Sequence, residues 1–201
     1  MRIFIVLIIT IFSFSLKAQS GEIVEPVILL EGQGLKANFA QNRYLVGFDG
    51  KINSSGILYL FEDQRLIWDV TEPFASRMIL EKNHVTQIVD GVETLNIPIQ
   101  NFPALRNMQK VVAASLEGDW TILSNMFGKK PILESGGWSL NLQKDELPSN
   151  FPFTSIDIQG GEFVEIITML RASGDQEEII MFDHEIYSEE ILKKMIGQNN
   201  E

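Results

Sequence analysis

The stretch from Gly56 to Gly91, GILYLFEDQRLIWDVTEPFASRMILEKNHVTQIVDG, constrains the fold most, because it reads as three or four short strands in a row. Leu66, Trp68 and Val70 alternate with Arg65, Ile67 and Asp69, the period-two pattern of a strand that turns one face to an apolar interior. Thr71-Glu72-Pro73 ends that strand, since proline has no N–H to give to a ladder. Ser76 to Glu81 and His84 to Val89 make the next two strands, parted by Lys82-Asn83 and closed by the turn pair Asp90-Gly91. Gly56 to Phe61 is apolar on both faces, with Ile57, Tyr59 and Phe61 against Leu58 and Leu60. Such a strand is expected to be covered on both sides, or to face a cavity on one.

The chain opens with an export signal. Arg2 supplies a short positive region, Ile3 to Leu16 is an apolar run broken only by Thr10, Ser13 and Ser15, and Ala18 suits the position before cleavage. The run falls short of the roughly 20 residues of a spanning helix, the alternative reading. No cysteine follows the cut, so the mature chain is not itself N-terminally lipidated, and it has neither disulfides nor thiol chemistry. Removing residues 1–18 takes away Arg2 and Lys17 and no acid, leaving 14 basic against 27 acidic side chains and a formal charge of −13. That balance argues against nucleic acid and anionic membrane surfaces, both of which recruit basic patches. Residues 19–201 are long enough for one core without staples, and a single domain is expected.

Further along, Leu35 to Phe48 reads as a strand, with Leu35, Ala37 and Phe39 on one face and Tyr44, Val46 and Phe48 continuing it to a hairpin turn at Asp49-Gly50. Gly21 to Gly34 has no clear assignment, and Pro26 argues there against a long helix. Val92 to Ile97 reads as a strand and Pro98 to Phe102 as a loop. The clearest helix starts at Pro103, places Leu105, Met108, Val112 and Leu116 at helical spacing, and stops at Gly118. Strands are expected again at Trp120 to Asn125, Gly137 to Gln143, Ser155 to Gln159, Glu162 to Arg171 and Gln176 to Asp183. Within Glu162–Arg171, Val164, Ile166 and Leu170 share one face by simple alternation. Ser188 to Ile196 is a helix with Glu189 and Glu190 at its positive end and Lys193 and Lys194 at the other.

Catalytic signatures are missing from the sequence. His84 and His184 have no metal-ligand partner at useful spacing, and there is no H-E-x-x-H, G-x-S-x-G or phosphate-binding loop. Asp175, Glu177 and Glu178 at a turn read as a solvated acidic hairpin rather than a calcium loop. The chain reads as a binder without metal or cofactor. A row of Leu, Ile and Trp serves a packed core and a ligand cavity alike, and the pattern alone does not separate them.

The order glycine, apolar strand, Arg65-Leu66-Ile67-Trp68, Pro73, strand, turn, strand, Asp90-Gly91 resembles the outer-membrane lipoprotein carrier (LolA-like) family. Phe163-Val164-Glu165-Ile166, Gly174-Asp175 and Ile179-Ile180-Met181-Phe182 extend the resemblance, which spans most of the mature chain. It implies an α+β fold, an incomplete antiparallel β-barrel capped by helices and enclosing an apolar cavity. It also implies a periplasmic carrier, not an enzyme, that takes an acylated lipoprotein or other lipid cargo from an inner-membrane donor complex to an outer-membrane acceptor and works as a monomer. On this view Leu58, Leu60, Leu66, Trp68, Val70, Val164 and Ile166 line the cavity, and Leu105, Met108 and Val112 face it from the lid helix. Two features depart from the family. Glu62 and Asp63 stand where its arginine–proline pair precedes the tryptophan strand, so the arginine latch of the lid does not carry over, and no N-terminal helix is visible before Leu35. The cargo is therefore open to another lipid or a lipid-linked pigment precursor. A lipoprotein sensor or regulatory subunit of the same fold, and an exported enzyme or subunit of lipid metabolism, are the rival readings.

Overall fold

The ladder of short strands announced by Gly56–Gly91 extends through most of the chain in the computed structural model. The structure describes residues 24–198, apart from Glu25, Phe102, Asp119 and Asn150 and the side chains of residues 103–105, 108 and 198. The export signal expected at residues 1–18 lies outside the described residues. Eleven strands form one sheet, β1 (Gln33–Tyr44), β2 (Ile52–Phe61), β3 (Leu66–Glu72), β4 (Ser76–Leu80), β5 (His84–Val89), β6 (Val92–Pro98), β7 (Ile132–Glu134), β8 (Gly137–Gln143), β9 (Phe153–Gly160), β10 (Val164–Arg171) and β11 (Gln176–Ser188). Their spatial order is β6-β5-β4-β3-β2-β1-β11-β10-β9-β8-β7, antiparallel throughout, with β6 and β7 as open edges. Among the described residues three helices accompany it, α1 (Pro103–Leu116), α2 (Trp120–Phe127) and α3 (Glu189–Gln198).

The sheet curls. β4 and β10 are five strand spacings apart in the ladder, about 24 Å if flat at roughly 4.8 Å per step. Yet Met78 of β4 and Met169 of β10 line one small cavity. Residues from nine of the strands and from α1 and α2 also join one buried apolar cluster on this concave side, among them Leu35, Leu58, Leu60, Val85, Ala113, Leu123, Leu140 and Ile158.

The two-faced strand is covered on both sides. Leu58 and Leu60 point into the concave cluster, whereas Tyr59 and Phe61 join Ile67 and Leu192 in a separate cluster on the convex side. Leu192 brings α3 onto that face, with Met195 and Ile196 packed beside it. Glu189–Lys193 and Glu190–Lys194 pairs, both 2.7 Å, run along the helix one turn apart. Gly56 stands where β2 and β3 come together, and a Cβ there would lie 2.0 Å from the Asp69 carbonyl oxygen. On the convex face, Asp69 and Arg77 stand opposite each other in register and form a buried ion pair.

Three expectations change. Trp120–Asn125 is helix, not strand. Leu123 is fully buried and Ile122, Met126 and Phe127 pack partly against the core, which helical spacing allows in so short a segment. The first strand stops at Tyr44 instead of running to Phe48. Gly47 (φ 82°) and Gly50 (φ 133°) turn the chain early, leaving Val46 and Phe48 exposed. The loop expected at residues 98–102 contains a short 3₁₀ turn, Ile99–Asn101, whose Ile99 is fully buried. The edge strand β7 has no counterpart among the expected elements.

Candidate functional site

On the concave side, between the sheet and α1, lies a cavity of 350 Å³, open on one side. β3 supplies Leu66, Trp68 and Val70 to its wall, as alternation requires, and β4 supplies Met78 and Leu80. Ile167 and Met169 of β10 and Ile179 of β11 form the opposite wall, and Val112 faces the cavity from α1. Trp68 is fixed by Phe39, whose ring centre is 4.2 Å away. The volume is at the small end of the roughly 300–1,000 Å³ of small-molecule sites.

Of the expected site residues, Leu66, Trp68, Val70 and Val112 line this cavity. Leu58, Leu60 and Val164 are fully buried in the packed part of the same cluster, where they back the wall without lining it. Ile166 points the other way. The pairing register of β10 with β9 shifts between Val164 and Ile166, a bulge that puts Val164, Ile167 and Met169 on the core side. The side chains of Leu105 and Met108 lie outside the described residues.

Polar groups define the two ends. At one end Gln109 of α1 is buried, and its Nε2 donates to the carbonyls of Gln64, 3.1 Å, and Leu80, 3.2 Å. These carbonyls lie at the β2–β3 turn and the end of β4, so one side chain ties the helix to two points of the sheet rim. At the other end stand Gln41, Arg43 and Glu177. The Glu177 carboxylate is almost fully buried; Arg43 Nε donates to its Oε1 at 2.7 Å, and an Arg171 Nη lies 3.6 Å from its Oε2. Arg171 also lies over the Phe153 ring, 4.7 Å from its centre.

Beyond this cluster, Asp175 clamps the neighbouring hairpins, accepting from the Val46 N–H at 2.9 Å and the Ser173 hydroxyl at 2.8 Å. Those hydrogen bonds, with Arg171 nearby, hold its carboxyl below the usual carboxylate range. His184 is half-buried and stacked on Phe163 at 4.8 Å, and desolvation pushes its pKa below the ordinary histidine value. Among the described residues no group of three or more histidines or acids is placed to hold a metal ion.

Sequence reading missed Met78, Leu80, Ile167, Met169 and Ile179, and the polar residues Gln41, Arg43, Gln109 and Glu177. The first group was visible as alternating apolar strands but had no marker of which strands meet across the cavity. Glu177 sat in a turn rich in acids, and nothing local distinguishes the one carboxylate that points inward.

No family model matches the chain, and no curated protein matches it. Among solved structures it is similar to a LolA superfamily protein from Nitrosomonas europaea, at 12% identity over 79% of this chain and 88% of the other, with a TM-score of 0.42. It is also similar to a domain described as a candidate outer membrane lipoprotein-sorting protein from Vibrio parahaemolyticus, at 8% identity over 82% and 91% of the two chains, with a TM-score of 0.40. Identity and superposition are low in both, and the cavity stands on this chain's own residues.

Proposed function

We propose that this protein is an exported, periplasmic carrier, acting without catalysis, that shields the acyl chain of a lipoprotein or another lipid and delivers it towards the outer membrane. Residues 1–18 act as the export signal and residues 19–201 as one carrier domain. The observation that carries this reading is the 350 Å³ cavity walled by Leu66, Trp68, Val70, Met78, Ile167 and Ile179 and left open to one side. A filled core would leave no such space between helix and sheet.

The mechanism is reversible burial. Each acyl CH₂ taken out of water contributes about 0.8 kcal/mol, so even a modest chain binds well in a greasy cleft. The same arithmetic makes spontaneous loss into water slow. Release needs a receiver or a displacement of α1, whose tie to the rim through Gln109 is a pair of hydrogen bonds. The acidic surface keeps the loaded carrier soluble and off anionic membranes between encounters.

The test is native mass spectrometry of the mature protein purified from its own host without detergent, followed by transfer of a labelled acyl lipid between donor and acceptor vesicles. A bound lipid mass and protein-dependent transfer are expected. A lipid that stays bound but is never passed on points to a sensor, and a covalent change in the lipid points to an enzyme. A folded protein that is empty and takes up no acyl probe refutes the reading.

A further inference from the structure

The polar end of the cavity bears on what kind of amphiphile it takes. Arg43 and Glu177 line that end, and Arg171 meets Glu177 from just outside the lining, in a chain whose formal charge is −11. One buried carboxylate, Glu177, is shared between the two guanidinium groups, and Arg171 also feels the charge of Asp175. The next acid, Asp175, is turned to the Val46 N–H and the Ser173 hydroxyl of the hairpins, and Glu178 accepts from Asn42 Nδ2. Gln41 uses its side-chain oxygen to accept from the Ser54 hydroxyl, which leaves its NH₂ to donate. Glu177 is both buried and occupied on both oxygens, whereas the Arg43 and Arg171 side chains remain 47% and 40% exposed. What this end offers a ligand is therefore two half-exposed guanidinium groups and an amide donor, directly beside an apolar wall.

We infer that the cavity selects a single-chain anionic amphiphile, with its chain between α1 and the sheet and its carboxylate or phosphate head on Arg43, Arg171 and the Gln41 amide. This deepens the carrier reading and rests on it. The cavity's volume at the small end of ligand sites fits one chain, and guanidinium is the side chain best shaped to hold a carboxylate or phosphate by paired N–H bonds. The buried Glu177 is the positioning residue. It fixes both guanidinium groups while their side chains stay half-exposed to a ligand.

The experiment measures displacement of the neutral probe N-phenyl-1-naphthylamine from the mature protein by decanoate, decyl phosphate, decanol and decyltrimethylammonium at neutral pH. The two anions are expected to bind about tenfold or more tightly than the alcohol, the size of one charge-assisted hydrogen bond, and the ammonium ion most weakly. A difference between the two anions tells a carboxylate head from a phosphate one. Arg43→Gln should bring the ratio of anion to alcohol close to one, and Arg43→Lys should keep a clear preference. Arg43→Gln leaves Glu177 paired with Arg171, which avoids an unpaired buried carboxylate and protects the fold. Equal binding of all four amphiphiles, or tightest binding of the ammonium ion, overturns the inference and leaves the carrier reading intact. Displacement of the probe by none of them, or no binding of the probe itself, overturns both.

Discussion

The independence of the two sheet faces can be tested at Leu192. This residue is fully buried beneath α3 against Tyr59, Phe61 and Ile67, on the side of the sheet away from the cavity. It fits over Gly34, where a Cβ would come within 2.5 Å of its Cδ1. Leu192→Ala removes three apolar carbon groups, about 2.4 kcal/mol at roughly 0.8 kcal/mol each. A rigid site adds a cavity term that takes such changes to as much as about 5 kcal/mol. Here the cluster is one layer under a ten-residue helix with a solvent-facing back, so the helix can settle and the cavity term is small. The expected loss is about 3 kcal/mol, read by urea denaturation from a lowered midpoint at unchanged slope. Acyl-probe affinity measured where the variant is fully folded should stay at the parent value, because no cavity residue is touched. A loss below about 1 kcal/mol would refute the docking of α3 by Leu192. A collapse of probe binding in the variant while it is still fully folded would refute the separation of the two faces.

Three further outcomes follow from the geometry. Val112→Asp and Trp68→Asp place a carboxylate on the cavity wall that an entering chain must desolvate, so probe affinity should fall by about tenfold or more in folded protein; affinity within about twofold of the parent would remove that residue from the site. Gln109→Leu strands the Gln64 and Leu80 carbonyls and should cost about 1–3 kcal/mol. Its local signature is faster hydrogen exchange in α1 than in β8–β10, and unchanged exchange would show that Gln109 does not hold the helix. For His184, burial lowers the folded pKa below the unfolded value near 6.5, so the unfolded chain takes up the proton first. Stability from this group is present above about pH 6.5 and declines as pH falls towards the folded pKa. Melting temperatures between pH 7.5 and 5.5 should show a decline that is shallower in His184→Phe, and equal slopes in the two proteins would count against it.

Period-two alternation and turn residues were enough to place β3, β4, β5 and β8 and to foresee that β2 is covered on both faces or faces a cavity on one. Proline at the first turn, regular apolar spacing and a terminal glycine were enough for α1. These signals are local: they depend on backbone geometry and on which side of one element is greasy, and both are written in neighbouring residues. Tertiary structure decided the rest. A segment as short as Trp120–Phe127 takes its state from what it can bury, and the core offered a helical fit for Leu123. The bulge after Val164 reversed the inward face of β10, since one extra residue in the ladder inverts every side chain beyond it. The site itself depended most on curvature. Only the curling of the sheet brings Met78 of β4 opposite Met169 of β10, while the pairing of β11 between β1 and β10 sets Arg43 and Arg171, far apart in sequence, on the same buried Glu177. Long-range proximity of that kind leaves no periodic trace in the chain, which is why the apolar wall was legible as strands and the cavity was not.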